Sequence, residues 1–282
     1  AILSLDGMPA TATPFTWNIP VGAKSSSALF VPFNELSTNN VAAAADLNQD
    51  GHTDIISGRH VWLGQPDGTF RNTEQDLGRG PYHLADLDAD GDLDIVANRQ
   101  IKRNDGTGQF TDGASLRSYN DIAFADFNAD GVLDIVIATA TGGRIFFNDG
   151  AGDFGDSVSL RTAGPQSLAV DDFNNDGNLD VALGAPDEIT IWINQGESSF
   201  ESPQTIQTFF IPAEDMVAGD FDGDGWTHLM ITSPNSSTYR WRNLGEGIFS
   251  DDIGFITGGF ASIQAVDIDG DDDLDVIGSG SQ

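Results

Sequence analysis

Of the 44 acidic residues in this 282-residue chain, 37 are aspartate and seven are glutamate. Aspartate favours tight turns and metal loops, and here it is patterned. The nine-residue motif Asp-x-Asp/Asn-x-Asp-Gly-x-x-Asp recurs six times, starting at Asp46, Asp86, Asp126, Asp172, Asp220 and Asp267. The intervals are 40, 40, 46, 48 and 47 residues. Positions one, three and five place hard oxygens on one side of a short loop. They are Asp46, Asn48 and Asp50; Asp86, Asp88 and Asp90; Asp126, Asn128 and Asp130; Asp172, Asn174 and Asp176; Asp220, Asp222 and Asp224; Asp267, Asp269 and Asp271. Position seven can lend a backbone carbonyl, from His52, Asp92, Val132, Asn178, Trp226 and Asp273. Position nine is Asp54, Asp94, Asp134, Asp180 and Asp275, but His228 in the fifth copy. Six or seven oxygens around a flexible loop suit calcium better than magnesium. Five to six ions are therefore expected, mainly holding the fold. The fifth loop, which trades an oxygen for a nitrogen, is expected to bind least well.

The elements that must position these loops are β-strands. Each motif is flanked by short Val- and Ile-rich runs such as Asp94-Ile95-Val96 and Asp134-Ile135-Val136-Ile137, bounded by Gly and Asp. Four to six residues is strand length, not helix length. A third run ends in a turn at Asn104-Asp105-Gly106, Asn148-Asp149-Gly150, Asn194-Gln195-Gly196 and Asn243-Leu244-Gly245. Phe110, Phe154, Phe200 and Phe249 follow six residues after each of those Asn. A fourth run leads to the next motif. One repeat is thus a four-stranded antiparallel sheet, the size of a propeller blade. An EF-hand is excluded, because position 12 falls within or at the end of a strand and never supplies the required Glu.

The expected fold is all-β, a single closed β-propeller domain spanning residues 1–282. Its calcium loops are 46–54, 86–94, 126–134, 172–180, 220–228 and 267–275. Phe15-Thr16-Trp17-Asn18 resembles a third strand, and Phe30 stands 16 residues before Asp46 as Phe70 does before Asp86. Residues 1–40 are therefore expected to close the last blade, giving six blades; seven is the competing count.

The motif, its period and its flanks resemble the FG-GAP/VCBS repeat family, the calcium-bound propeller blades of integrin α-subunit heads, secreted bacterial proteins and some lectins. Asp180-Val181-Ala182-Leu183-Gly184-Ala185-Pro186 carries the Gly-Ala-Pro of the family name. The resemblance implies a secreted or surface-displayed protein whose leader has been removed, acting on glycans or extracellular proteins. Two departures are His228 and Asp272, the latter in place of the position-six Gly.

A formal net charge of −32 argues against nucleic acid and anionic membrane as partners. With no cysteine, thiolate metal sites and thiol nucleophiles are excluded. No apolar run is long enough for a membrane helix. Neither a Ser-His-Asp spacing nor a Gly-x-Ser-x-Gly elbow occurs. Tyr82-His83 with Arg79 is the one pairing that offers acid–base chemistry, as in a polysaccharide lyase, and an ordinary polar pair is the preferred reading. The expected role is a non-catalytic binding module; a lyase and a structural spacer are the alternatives. For ligand contacts the candidates are Trp226, inside the fifth loop, and Trp62, Trp192 and Trp241, two residues before the turn. The latter set also suits packing between blades.

Overall fold

The computed structural model describes residues 41–201, 203–208, 211–233, 237–256, 260–268 and 274–279. The expected closing segment 1–40, and Asp269, Asp271, Asp272 and Asp273 of the sixth loop, lie outside these residues.

Among them there is no helix. Five four-stranded antiparallel sheets and one two-stranded sheet follow one another along the chain. The first contains β1 (Val41–Ala45), β2 (Asp54–Ser57), β3 (His60–Gly64) and β4 (Phe70–Asp76). The second contains β5 (Tyr82–Ala85), β6 (Asp94–Ala97), β7 (Gln100–Asn104) and β8 (Phe110–Ser115). The third contains β9 (Asp121–Ala125), β10 (Asp134–Thr139), β11 (Gly142–Phe146) and β12 (Ser157–Leu160). The fourth contains β13 (Ser167–Asp171), β14 (Asp180–Gly184), β15 (Glu188–Trp192) and β16 (Gln204–Gln207). The fifth contains β17 (Asp215–Gly219), β18 (His228–Ser233), β19 (Ser237–Asn243) and β20 (Phe249–Ile256). The sixth pairs β21 (Ser262–Val266) with β22 (Asp275–Ser279).

Every sheet is a meander, with each strand paired to the next in sequence. First strands of successive sheets touch, as β9 does β13 and β13 does β17. The sheets pack face to face, so the second strands of the second to fifth sheets, β6, β10, β14 and β18, have a neighbour on both faces. That is why they are buried at almost every residue, as β2 is too, and read as unbroken apolar runs instead of alternating ones. Each interface between sheets is a separate core. Between the third and fourth sheets Val136, Ile145, Leu168, Val181 and Leu183 meet. Between the fourth and fifth, Phe173, Ile189, Leu229, Ile231 and Trp241 meet.

This meander sorts the loops. The link from first to second strand, which carries the aspartate motif, shares one end of each sheet with the hairpin after the third strand. The second-to-third hairpin and the link to the next sheet lie at the other end.

Candidate metal loops and their inter-sheet staples

The first, third and fourth loops share one hydrogen-bond scheme. In the first, Asp46 accepts the N–H groups of Asp50 and Gly51 at 3.2 and 2.8 Å, and Asp50 accepts that of His52 at 2.8 Å. The amide nitrogen of Asn48 donates to Asp50 at 3.0 Å, and Asn128 and Asn174 do the same in their loops. The position-six glycines Gly51, Gly91, Gly131, Gly177 and Gly225 all have φ between 82° and 91°, the left-handed region that glycine enters without cost. Position four is left-handed too. It is filled by Gln49, Ala89, Ala129 and Asn175 at φ 54–60°, a strain of about 1 kcal/mol or more each that the sequence did not signal.

The second loop shows what these carboxylates lack. Asp88 stands where the first, third and fourth loops have Asn, and a carboxylate has no N–H to donate. One oxygen each of Asp86 and Asp88 is buried with no hydrogen-bond partner. Asp86, Asp88 and Asp90 can bring one oxygen each within 4.8 Å of the others. Burial, and then the Asp90 charge, push the Asp88 carboxyl above its ordinary range. Orphaned, mutually repelling hard oxygens fit a divalent cation. Asp86, Asp88 and Asp90 would hold it, with the Asp92 carbonyl at position seven. A bound calcium supplies the positive charge that lets the loop keep its carboxylates ionised.

The position-nine aspartates do something the motif alone does not reveal. Asp54, Asp94, Asp134 and Asp180 are completely buried. One oxygen accepts the N–H of position two, from Leu47, Leu87, Phe127 and Phe173 at 2.7–3.1 Å. The other accepts the N–H of the residue at the end of the third strand or two beyond it, from Gly64, Asn104, Asn148 and Asn194 at 2.7–2.8 Å. Each carboxylate clamps the loop to its own sheet and keeps a lone pair on each oxygen for an ion. Burial pushes Asp94 up to about 6 and Asp180 up to about 7.

The turn asparagines are staples between sheets. The Asn104 amide nitrogen donates to the carbonyl of Leu47 in the preceding sheet's loop at 2.8 Å. Asn148 reaches Leu87, Asn194 reaches Phe127 and Asn243 reaches Phe173, at 2.7–2.8 Å. Each also donates to its own loop's position-eight carbonyl, at 2.9–3.1 Å. Read from sequence they are hairpin residues; their recurrence with the motif was the available signal.

The fifth loop departs most. His228 is fully buried. Its Nδ1 accepts the Asn243 N–H at 3.3 Å, the bond that an aspartate oxygen takes elsewhere. That puts the ring proton on Nε2, 3.0 Å from Asp222. Arg242 donates to Asp224 at 2.7 Å, and Arg240 to Asp222 at 3.4 Å. The Arg242 hydrogen bond holds the Asp224 carboxyl below the usual range. Donor atoms of Asp220, Asp222, Asp224 and His228 can come within 4.8 Å of one another. Yet N–H groups already face the oxygens of Asp222 and Asp224. These residues do not fit calcium: the loop's charge is met from within the chain.

Of the tryptophans, Trp241 is 1% exposed and packs in the core between the fourth and fifth sheets. It is corrected from a ligand candidate to a packing residue, because the neighbouring sheet covers its ring. Trp192 is half-buried against the core of the third and fourth sheets. Trp62 is half-buried on β3. Trp226 is half-buried beside a surface hollow of about 290 Å³, which it lines with Asp224, Arg242, Asn243 and Leu244. Tyr82 and His83 are adjacent on β5 and so point to opposite faces. The Tyr82 hydroxyl lies 2.9 and 2.6 Å from the carbonyls of Gly58 and Gly78, its one proton able to serve either, and the His83 ring lies against Tyr119 and Phe124. The structure does not assemble them as an acid–base pair.

The sequence profile of the FG-GAP-like repeat matches residues 46–97, 126–183, 172–231 and 220–278. The chain belongs to the FG-GAP-like repeat family. No curated protein matches it. Among solved structures, an Agrocybe aegerita lectin described as recognising non-reducing terminal N-acetylglucosamine is similar, with 20% identity and a TM-score of 0.59 over 84% of this chain and 73% of the lectin. BBS1N in complex with ARL6DN is similar at 12% identity and a TM-score of 0.55, over 84% of this chain and 74% of that one. At these identities the likeness is one of fold. This FG-GAP-like protein therefore has a propeller-like arrangement of sheets, with acidic loops at one end.

Proposed function

We propose that this FG-GAP-like protein is a calcium-stabilised, closed, six-bladed propeller, secreted or held at a cell surface, that binds glycans without catalysis. The observation that carries the reading is Trp226. It places a half-buried aromatic face at the rim of a hollow, with Asp224, Arg242 and Asn243 beside it. An aromatic face next to a few polar groups suits the apolar face of a pyranose. The fold shared with a glycan-recognising lectin supports the reading. Exposed Leu244 and Ile248 on the adjoining turn favour an extracellular protein ligand as the second reading.

The test is a glycan array probed with wild-type protein and Trp226→Ala. A bound glycan whose affinity falls at least tenfold in the variant, with an unchanged melt, supports the site. An array blank for both proteins, or a variant that binds as wild type does, overturns it.

A further inference from the structure

Lys and Arg number 12 against 44 acidic residues, so a cluster of unpaired arginines is unexpected anywhere on this chain. One exists on the third sheet. Arg117, Arg144 and Arg161 line a hollow of about 240 Å³ together with Thr139, Thr141 and Ser159, and no carboxylate lines it. Among the described residues, none of the three guanidiniums stands within ion-pair distance of an acid. Arg144 is held in place. Its two terminal nitrogens donate to the hydroxyls of Ser157 and Ser159 at 3.2 and 3.0 Å, and its guanidinium lies 5.9 Å from the Phe146 ring centre. These partners are neutral, so its charge is not cancelled. Arg117 and Arg161 are exposed, on the links leading into and out of the sheet.

The hollow is at the end of the sheet opposite the aspartate loop. Thr139 and Gly142 bracket the second-to-third hairpin, whereas Asp134 at the other end of β10 closes the motif. Six strand residues put roughly 17 Å between the two ends. At physiological ionic strength the screening length is about 8 Å. The repulsion from the acidic loops is therefore largely screened at the hollow.

We propose that the Arg117–Arg144–Arg161 hollow binds an oxyanion carried on a sugar, a uronate carboxylate or a sulfate ester. Planar guanidinium forks match either group, and the three hydroxyls beside them suit a sugar's own. The hollow is smaller than the roughly 300–1,000 Å³ that encloses a drug-sized ligand. It takes one charged residue of a larger glycan. That the anion is on a sugar rests on the function proposed above; the site is separate from Trp226.

The experiment measures binding of the intact, calcium-loaded protein to polygalacturonate, dextran sulfate and uncharged dextran at about 150 mM salt. The expected result is that at least one acidic polymer binds and dextran does not compete. Arg117→Ala/Arg161→Ala should weaken that binding at least tenfold with an unchanged melt, since both side chains are exposed. Arg144→Lys, which keeps the charge and loses the fork, should weaken it several-fold. Trp226→Ala should leave it alone. The proposal is overturned if neither acidic polymer outbinds dextran, or if the double arginine variant binds as wild type does. Neutral glycans captured through Trp226 while acidic polymers fail would sink this site and spare the earlier reading. Arginine-dependent capture of acidic polymers beside a blank neutral array would do the reverse.

Discussion

At the scale of single residues, the fifth loop shows how one substitution recruits others. His228 was visible in the sequence as a departure from the motif. Arg242 was not, because it lies 14 residues downstream on β19. Position in the repeat did not reveal it either. Arg103 occupies the same place before its turn asparagine, yet it reaches Asp153 on the next sheet at 3.5 Å. The wild-type protein is expected to bind one fewer calcium than it has motifs. His228→Asp combined with Arg242→Ala and Arg240→Ala restores the fourth carboxylate and removes the competing cations. Isothermal titration should then count one additional ion. Terbium offers a second readout, since Trp226 lies in the loop and would sensitise an ion bound there. Wild-type emission unchanged by Trp226→Phe is expected; emission lost in that variant would show the native loop already loaded.

At the scale of elements, strands were readable because face-to-face packing makes second strands uniformly apolar and the motif marks where they begin. The joints between sheets were not, because a buried amide bridging two repeats leaves no local pattern beyond the turn it sits in. Asn148→Ala deletes donors to the Leu87 and Leu133 carbonyls. Stranding buried carbonyls costs about 1–3 kcal/mol each, so a loss of about 2–4 kcal/mol in urea denaturation is expected, with an unchanged m-value. A change under about 0.5 kcal/mol would mean the staple is idle. The buried position-nine carboxylates give a pH signature. Asp94 and Asp180 are raised to about 6 and about 7, above the unfolded value of about 3.9. The folded state binds their protons more tightly, so their contribution is full below pH of about 4. It is lost as pH rises through the folded values. Metal-free protein should therefore melt lower at pH 8 than at pH 5. Calcium requires the deprotonated form, so it should reverse that order. A chelated sample that melts higher at pH 8 would contradict these burial effects.

At the scale of the molecule, calcium bound as proposed would tie the acidic loops, the fifth excepted, to the stability of the whole. One site held at about 100 times its dissociation constant adds about 2.7 kcal/mol. For a chain this long, each kcal/mol moves the melt by roughly 2–4 °C. Two sites imply a fall of about 11–22 °C on chelation, measurable by scanning calorimetry; an unchanged melt would remove the metal from the account. Closure has its own test. If residues 15–18 supply a third strand to the sixth sheet, Asn18 stands at the stapling position, against the carbonyl of Phe221. Asn18→Ala should then destabilise as much as Asn148→Ala. An effect near zero would leave the sixth sheet without that strand.

The first sheet has glycine, Gly64, where the next four have the turn asparagine. A side chain does not fit there, since a Cβ would come within 2.4 Å of the Thr53 carbonyl oxygen. Gly64 thus has no amide to send, while the asparagines of the second, third, fourth and fifth sheets each reach the sheet before. In a closed ring of the kind proposed, the joint before the first sheet would lack that staple. Pulled from its two ends in an optical trap, the molecule should part first at this joint and at a lower force, before any of the others yields. The first yield point of the chain under tension would then be set by a single missing side chain.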